Sequence, residues 1–418
     1  MRLYEFINEQ PKQLGVLDYL KVFINLVKTG GQRIIDKFVQ MIKDTPPQEN
    51  VNEQTITMSN ISDIAGNFAK KNPLKFMQVV KQIVDQERQT IVAAINGVSA
   101  KFNQEIGAFF NKLADINSLS EFSSQDIKNA IEWFTSGPLQ QSDFKQTENT
   151  TTNVINLLSA KNKKYTQILV SEDIISDIAK SKVYGDARGE GFLAIVFGGK
   201  ISGGTKGAKG DVTLFNNKSY EVKANGRKTT GEKSPIVFAG RGELNDNIKT
   251  AGDYMMEKFE EFGQSVSLDK KGKMTTTSRA ESLNSFGVPR FVEMVNSLDK
   301  KTAIEFLNQI ILKTFGGQTE DSKALIKQSV AKGYDAKMFR KAFILENARF
   351  YLDTKDFDGL VFFNFHELSK NNVPMRTFNK KTFVNSVKKG DIFALRTESI
   401  NSMISGDVQS ALPGIAFK

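Results

Sequence analysis

Lys209-Gly-Asp-Val-Thr-Leu-Phe-Asn-Asn-Lys-Ser-Tyr-Glu-Val-Lys-Ala224 alternates in polarity on both sides of Asn216-Asn217. Val212 and Leu214 are apolar beside Asp211 and Thr213, and Tyr220 and Val222 sit between Ser219, Glu221 and Lys223. A period of two predicts two strands, each with one buried face. A two-residue turn at Asn216-Asn217 sets Val212 against Glu221. A three-residue loop, 216–218, sets Val212 against Val222 and Leu214 against Tyr220, and apolar then meets apolar. In that register Asp211 lies opposite Lys223, with Glu221 a diagonal neighbour on the same face. Opposed residues sit ~4.5–5.5 Å apart and diagonal ones ~7–8 Å. Two carboxylates and an ammonium therefore converge on one patch.

Such a patch suits phosphodiester hydrolysis. Two carboxylates can hold Mg²⁺ or Mn²⁺ and leave the remaining sites to water and phosphate oxygens. The metal stabilises charge on the phosphate and acidifies its bound water. A lysine beside it orients or deprotonates that water, or stabilises the developing anion. Composition narrows the rivals. The chain has 418 residues, no Cys and one His, His366. No disulfide framework, thiol nucleophile, Cys-ligated zinc or paired-histidine metal site is available. Acid-x-Lys spacing alone carries no weight, because Asp126-Ile-Lys128, Asp143-Phe-Lys145, Asp321-Ser-Lys323 and Asp335-Ala-Lys337 share it. Those triplets fall in helical or loop text. An ordinary hairpin with a solvated polar face stands as the alternative to a site.

Gly210-Asp211 followed by Glu221-Val222-Lys223 resembles the PD-(D/E)xK signature of restriction-endonuclease-like nucleases, with Gly210 at the position of that family's Pro. The resemblance implies that Asp211 and Glu221 bind metal and that Lys223 assists the water. It implies a core of one helix, three strands, a helix and a further strand. The first helix of that family often carries another metal-site Glu. The matching position is Glu190, in Asp186-Ala-Arg-Gly-Glu-Gly-Phe-Leu-Ala-Ile-Val196. A weak strand is readable near Lys200-Ile201, a helix over 243–262 and a strand over 359–365. Residues 263–357 then form a helical insertion.

Outward from this segment, the chain between Gly185 and Gly242 holds 13 of the 31 glycines. It fails the phosphate-loop spacing, and Gly189-Glu-Gly191-Phe-Leu-Ala194 fits the dinucleotide fingerprint only loosely and is discounted because no apolar strand precedes it. A flexible basic loop beside the patch is the better use, with Lys200, Lys206, Lys209, Arg227, Lys228 and Arg241 as DNA-backbone contacts; a mobile solvent loop is the equal alternative. A second basic run, Lys370 to Lys389, carries Phe378 and Phe383 and reads first as a charged solvent face. Residues 1–138 read as a helical domain: Val16, Leu17, Leu20, Phe23, Ile24 and Val27 recur at helical spacing, and Gly137-Pro138 stops the last helix. The polar segment 139–153 reads as a linker, and 154–418 as the nuclease-like domain, with a second late strand at 391–396. The expected class is α+β, a helical N-terminal domain followed by a restriction-endonuclease-like α/β core.

Charge follows the same division. The chain carries 57 Lys+Arg and 47 Asp+Glu, a net +10. Residues 1–150 hold 16 basic and 17 acidic residues, and 151–418 hold 41 and 30, so the surplus lies in the second part. A polyanion partner is expected there, with solubility alone as the equal alternative. No apolar run of about 18 residues spans a membrane, and no signal pattern opens the chain, so a cytoplasmic setting is expected. The expectation is a Mg²⁺-dependent DNA endonuclease. The competing reading is a non-enzymatic DNA-binding or phage structural or packaging protein on an inactive fold of the same kind. Met1-Arg-Leu-Tyr-Glu-Phe6 resembles the start of many tailed-phage proteins, which implies virion or packaging partners docking on the helical domain.

Overall fold

The computed structural model describes residues 15–43, 56–148, 150–181, 189–202, 210–227, 233–234, 236–238, 243–261, 291–365, 372–396 and 411–417. They form a mixed α+β protein that divides into two compact units. The first is Met1–Asp143, Asn153–Ile201 and Leu368–Asn372; the second is Phe144–Thr152, Ser202–Glu367 and Val373–Lys418.

The described part of the first unit is chiefly helical. Its longest helix, Pro73–Lys101, starts on a proline, whose fixed φ suits a first helical turn. Phe76, Val79, Val80, Ile83, Val84 and Ile91 form its buried stripe. Phe23 of helix Val16–Gly30, Phe38 of helix Gln32–Lys43 and Phe76 meet as a ring cluster, with centroids 4.5–6.1 Å apart. Gly31, at φ 59°, separates helices Val16–Gly30 and Gln32–Lys43. Helix Ser124–Thr135 is capped by Ser123, whose hydroxyl accepts from Asp126 N at 3.1 Å.

The expected division at 139–153 does not hold. Helices Val154–Lys161, Lys163–Ser171, Ile174–Lys180 and Glu190–Phe197 belong to the first unit. Tyr165 lies against Trp133 at 5.9 Å, and Lys164 pairs with Asp126 at 2.7 Å. The segment read as a linker contains helix Gln141–Gln146 and buries Leu139, Phe144 and Thr147. Its polar composition masked these anchors, and apolar burial, not polar count, decides whether a segment is ordered.

The strands, in chain order, are β1 (Thr152–Asn153), β2 (Lys200–Ile201), β3 (Val212–Thr213), β4 (Ser219–Arg227), β5 (Lys233–Ser234), β6 (Gly359–Asn364), β7 (Pro374–Phe378), β8 (Ile392–Arg396) and β9 (Gly414–Phe417). In the second unit β3 pairs antiparallel with β4, β4 parallel with β6, and β6 antiparallel with β7. β5 pairs with the far end of β4, and β8 with β9. β6 and β8 lie where strands were expected; β7 and β9 were not anticipated. A parallel pair needs a long crossover. Between β4 and β6 it contains helices Glu243–Glu261, Lys300–Phe315, Glu320–Ser329 and Ala336–Thr354. The first matches the expected 243–262, and the last three fall inside the expected 263–357, of which 262–290 lies outside the described residues.

Helix Ala336–Thr354 is buried on nearly every side because it serves two cores. Phe339 and Phe343 join Met255, Phe259 and Phe306 in a helical core. Ile344, Leu345, Ala348 and Tyr351 pack on Leu360, Phe362 and Phe378 of the sheet, with Phe383 from helix Lys380–Lys389. That packing delivers the end of the helix to the sheet face bearing Glu221.

Candidate active site

The β3–β4 register differs from expectation by two residues. Val212 opposes Tyr220 and Thr213 opposes Ser219. Asp211 N donates to Tyr220 O at 2.9 Å, so one step further Asp211 lies opposite Glu221, not Lys223. The turn is the cause. Leu214 N bonds Lys218 O at 2.8 Å around a 3₁₀ turn, Phe215–Asn217, with Asn216 and Asn217 both left-handed at φ 56° and 57°. Asn tolerates that conformation best after Gly. A shift of two keeps every side chain on its face, so the patch survives with its members rearranged. Tyr220 and Val222 face the other way, where Tyr220 meets Phe144 at 5.0 Å.

The two carboxylates now oppose each other across neighbouring strands, with Lys223 on the diagonal. Asp211 Oδ2 accepts from Val222 N at 2.8 Å. Glu221 Oε1 accepts from Lys223 Nζ at 2.6 Å and from the Tyr351 hydroxyl at 2.5 Å. The Lys223 ammonium lies 5.4 Å from the centre of the Tyr351 ring. Burial raises the Asp211 carboxyl above its usual range, and the facing charge of Glu221 adds to this. Burial also acts to raise Glu221, but Lys223 and the Tyr351 hydroxyl outweigh it and hold the group below its usual value. For Lys223, burial acts downward, while Tyr351, Glu221 and Asp211 carry the ammonium well above the usual lysine range. Burial first, then Glu221, raises the Tyr351 phenol, so it stays a hydrogen-bond donor.

Asp211 Oδ1 and Glu221 Oε2 take no hydrogen bond among the described residues. Hard oxygen donors facing each other, with mutual repulsion pressing on Asp211, are a set that a divalent cation would relieve. Asp211 and Glu221 are thus the residues that would hold one. No group of three or more His, Asp or Glu side chains converges as a metal site among the described residues. Glu190 is the first residue of helix Glu190–Phe197 in the first unit, whereas Asp211, Glu221 and Lys223 lie together in the second.

Gly210 explains the departure from a proline. Its φ is +62°, which proline cannot adopt, and a Cβ there would sit 2.9 Å from Tyr220 O. Gly210→Ala is expected to destabilise the protein by about 1–2 kcal/mol from the left-handed backbone alone, with the clash added. Chemical denaturation read by circular dichroism checks this, and an unchanged midpoint would contradict it.

Of the expected DNA contacts, Lys200 is exposed and lies in the first unit. The backbone of Arg227 pairs with Lys233 at the end of β4. Lys206, Lys209, Lys228 and Arg241, like His366, lie outside the described residues. In the second basic run Phe378 and Phe383 are core, and Arg376 is buried with Ser386 and Asp391 as partners at 3.1 and 3.3 Å. Lys380 and Lys388 pair with Asp353 and Asp321 on the outside. The other acid-x-Lys acids are taken up structurally: Asp335, for one, caps the helix it precedes.

Two residues escaped the sequence reading. Tyr351 is 130 residues from Glu221 along the chain, and no local spacing points to it. Asn225 follows Glu221 and Lys223 on the same face of β4. It is fully buried, and neither amide atom has a hydrogen-bond partner among the described residues. Its place on the alternation was legible, but its lack of a partner was not. Comparison of the chain with family models, curated proteins and solved structures gives no match. Among the described residues no helix is long and apolar enough to cross a membrane.

Proposed function

We propose that the protein is a metal-dependent nuclease that hydrolyses DNA phosphodiester bonds at the Asp211–Glu221–Lys223 patch. The observation that carries this reading is the meeting of Asp211 and Glu221 on one face with Lys223 bound to Glu221. The element order supports it too: β2, β3 and β4 precede helix Glu243–Glu261 and β6 follows the crossover, in keeping with the three strands, helix and further strand that the PD-(D/E)xK resemblance implies. Mg²⁺ or Mn²⁺, held by Asp211 and Glu221, would supply charge neutralisation and an acidified water. Lys223, protonated at neutral pH, serves as a cation toward the phosphate oxygens and the developing negative charge, not as a base. Tyr351 holds Glu221 in place.

A second reading has its own observation. Every member of the patch already has a protein partner: Asp211 the Val222 amide, Glu221 both Lys223 and Tyr351. A closed cluster of this kind suits a DNA-binding or phage structural protein without hydrolytic activity. Incubation of plasmid and linear DNA with Mg²⁺, Mn²⁺ or EDTA separates the two. The nuclease reading predicts metal-dependent nicking or linearisation. Intact DNA under every condition would sink it, and salt-sensitive binding without cleavage would favour the second reading.

A further inference from the structure

Lys355 stands at the C-terminal end of helix Ala336–Thr354, one turn beyond Tyr351, and its N–H bonds Tyr351 O at 3.2 Å. The side chain is exposed, and its ammonium lies 5.7 Å from the centre of the Tyr351 ring. The same ring lies 5.4 Å from the Lys223 ammonium, and its hydroxyl binds Glu221. One aromatic side chain thus links an inner lysine to an outer one. The charge of Lys355 acts on both Asp211 and Glu221.

Nearby cations are occupied. Arg349 binds Glu346 and Asp353, Lys380 binds Asp353, and Lys223 binds Glu221. Lys355 makes no ion pair among the described residues. Asp211, Glu221, Lys223 and Lys355 together sum to zero formal charge. Lys223 is bound to Glu221 and Asp211 to the Val222 amide, and the outer ammonium is left to solvent. A cation that is exposed, unpaired and held on an aromatic ring at the edge of a hydrolytic patch is suited to a phosphate oxygen.

We infer that Lys355 is a DNA-backbone contact, placed by Tyr351 at the rim of the Asp211–Glu221–Lys223 patch. The inference rests on the proposed reading of that patch and adds the residue that grips the strand. It also differs from the sequence expectation, which put such contacts in the Gly-rich loop. Being electrostatic, the contact is independent of base sequence and sensitive to salt.

The test is fluorescence anisotropy of the full chain with a labelled duplex in EDTA, across a range of salt concentrations. Wild type is compared with Lys355→Ala, Lys355→Arg and, as a control on a lysine already paired with Glu132, Lys128→Ala. Loss of one phosphate contact lowers the slope of log affinity against log salt by about 0.9, with affinity down roughly threefold to tenfold. Lys355→Arg is expected to keep the wild-type slope, and Lys128→Ala to match wild type. An unchanged slope and affinity in Lys355→Ala would overturn the inference, as would a wild type that binds no DNA. A wild type that binds DNA in EDTA but leaves it intact with Mg²⁺ defeats the hydrolytic reading alone; the slope then still decides the role of Lys355.

Discussion

Glu221→Gln is expected to lower metal-dependent DNA cleavage by about 10²–10³-fold, the loss typical of removing one charged group from an electrostatic site. The change keeps the side chain's size and removes its charge. Two consequences follow from the observed contacts. The Lys223 ammonium loses the carboxylate that holds it at 2.6 Å, and Asp211 loses the facing charge that, with burial, raises its pKa, so the site is left with one carboxylate to hold a metal. Tyr351→Phe is a milder form of the same lesion. It keeps the ring beside Lys223 and removes the hydroxyl that Glu221 accepts from, and a loss of about 10–100-fold is expected for a supporting hydrogen bond of this kind. The pH dependence has a definite sign. Glu221 is held below its usual value, so its charge is present at neutral pH and fails only as pH falls through that lowered value. Raising pH toward the range where a free lysine titrates should leave Lys223 charged, because its folded value lies higher still. Cleavage rates across pH for wild type and both variants measure this, with circular dichroism to show that the fold persists. A Glu221→Gln protein cleaving at the wild-type rate would refute the site.

The part of this site that was legible in the sequence is the part written in a period of two. Alternation about Asn216-Asn217 placed Asp211, Glu221 and Lys223 on one face, and the face survived an error of two residues in register because side chains repeat with that period. The register itself depended on the backbone of Phe215–Asn217, where two consecutive left-handed asparagines make a turn that apolar matching does not encode. Tyr351 was not legible, since its approach to Glu221 depends on how a helix more than a hundred residues away packs on β6. The boundary between the units failed for a related reason. A segment rich in Gln, Thr and Asn reads as solvated, yet Phe144 and Thr147 are buried, and one large anchor can order a short polar stretch. β7 was hidden because Arg376 lies at its centre. One terminal nitrogen of that arginine bonds Ser386 and Asp391 and the guanidinium lies over the Phe378 ring at 5.1 Å, so a charge that argued against a buried strand is accommodated inside one, although its Nε has no hydrogen-bond partner among the described residues.

The largest stability effect is expected in the first unit. Glu87 of helix Pro73–Lys101 has a side chain only 2% exposed. It accepts from both terminal guanidinium nitrogens of Arg33 at 2.7 and 2.5 Å, from Lys37 at 2.8 Å, and from the Ser124 hydroxyl. Three helices are joined at one carboxylate. Burial acts to raise its pKa, but Arg33, Lys37 and Ser124 outweigh burial and lower it. A lowered folded value contributes stability above the unfolded pKa, and that contribution is lost as pH falls through the folded value. Arg33→Met with Lys37→Met leaves the carboxylate buried with Ser124 alone. The cost is expected to be about 3–5 kcal/mol, the range for stranding a buried charge. The pH trend should also invert. With both cations gone burial prevails, the folded pKa rises, and the double variant should lose stability as pH rises from about 4 toward neutrality while wild type gains it. Adding Glu87→Met removes the stranded charge and should recover most of the loss, since an apolar replacement of a whole buried ion cluster is often neutral or stabilising. Trp133, the chain's single tryptophan, sits in the same helix as Ser124, so its fluorescence during urea unfolding follows this unit. Equal stability of the double and triple variants at neutral pH would show that the cluster does not act as a unit.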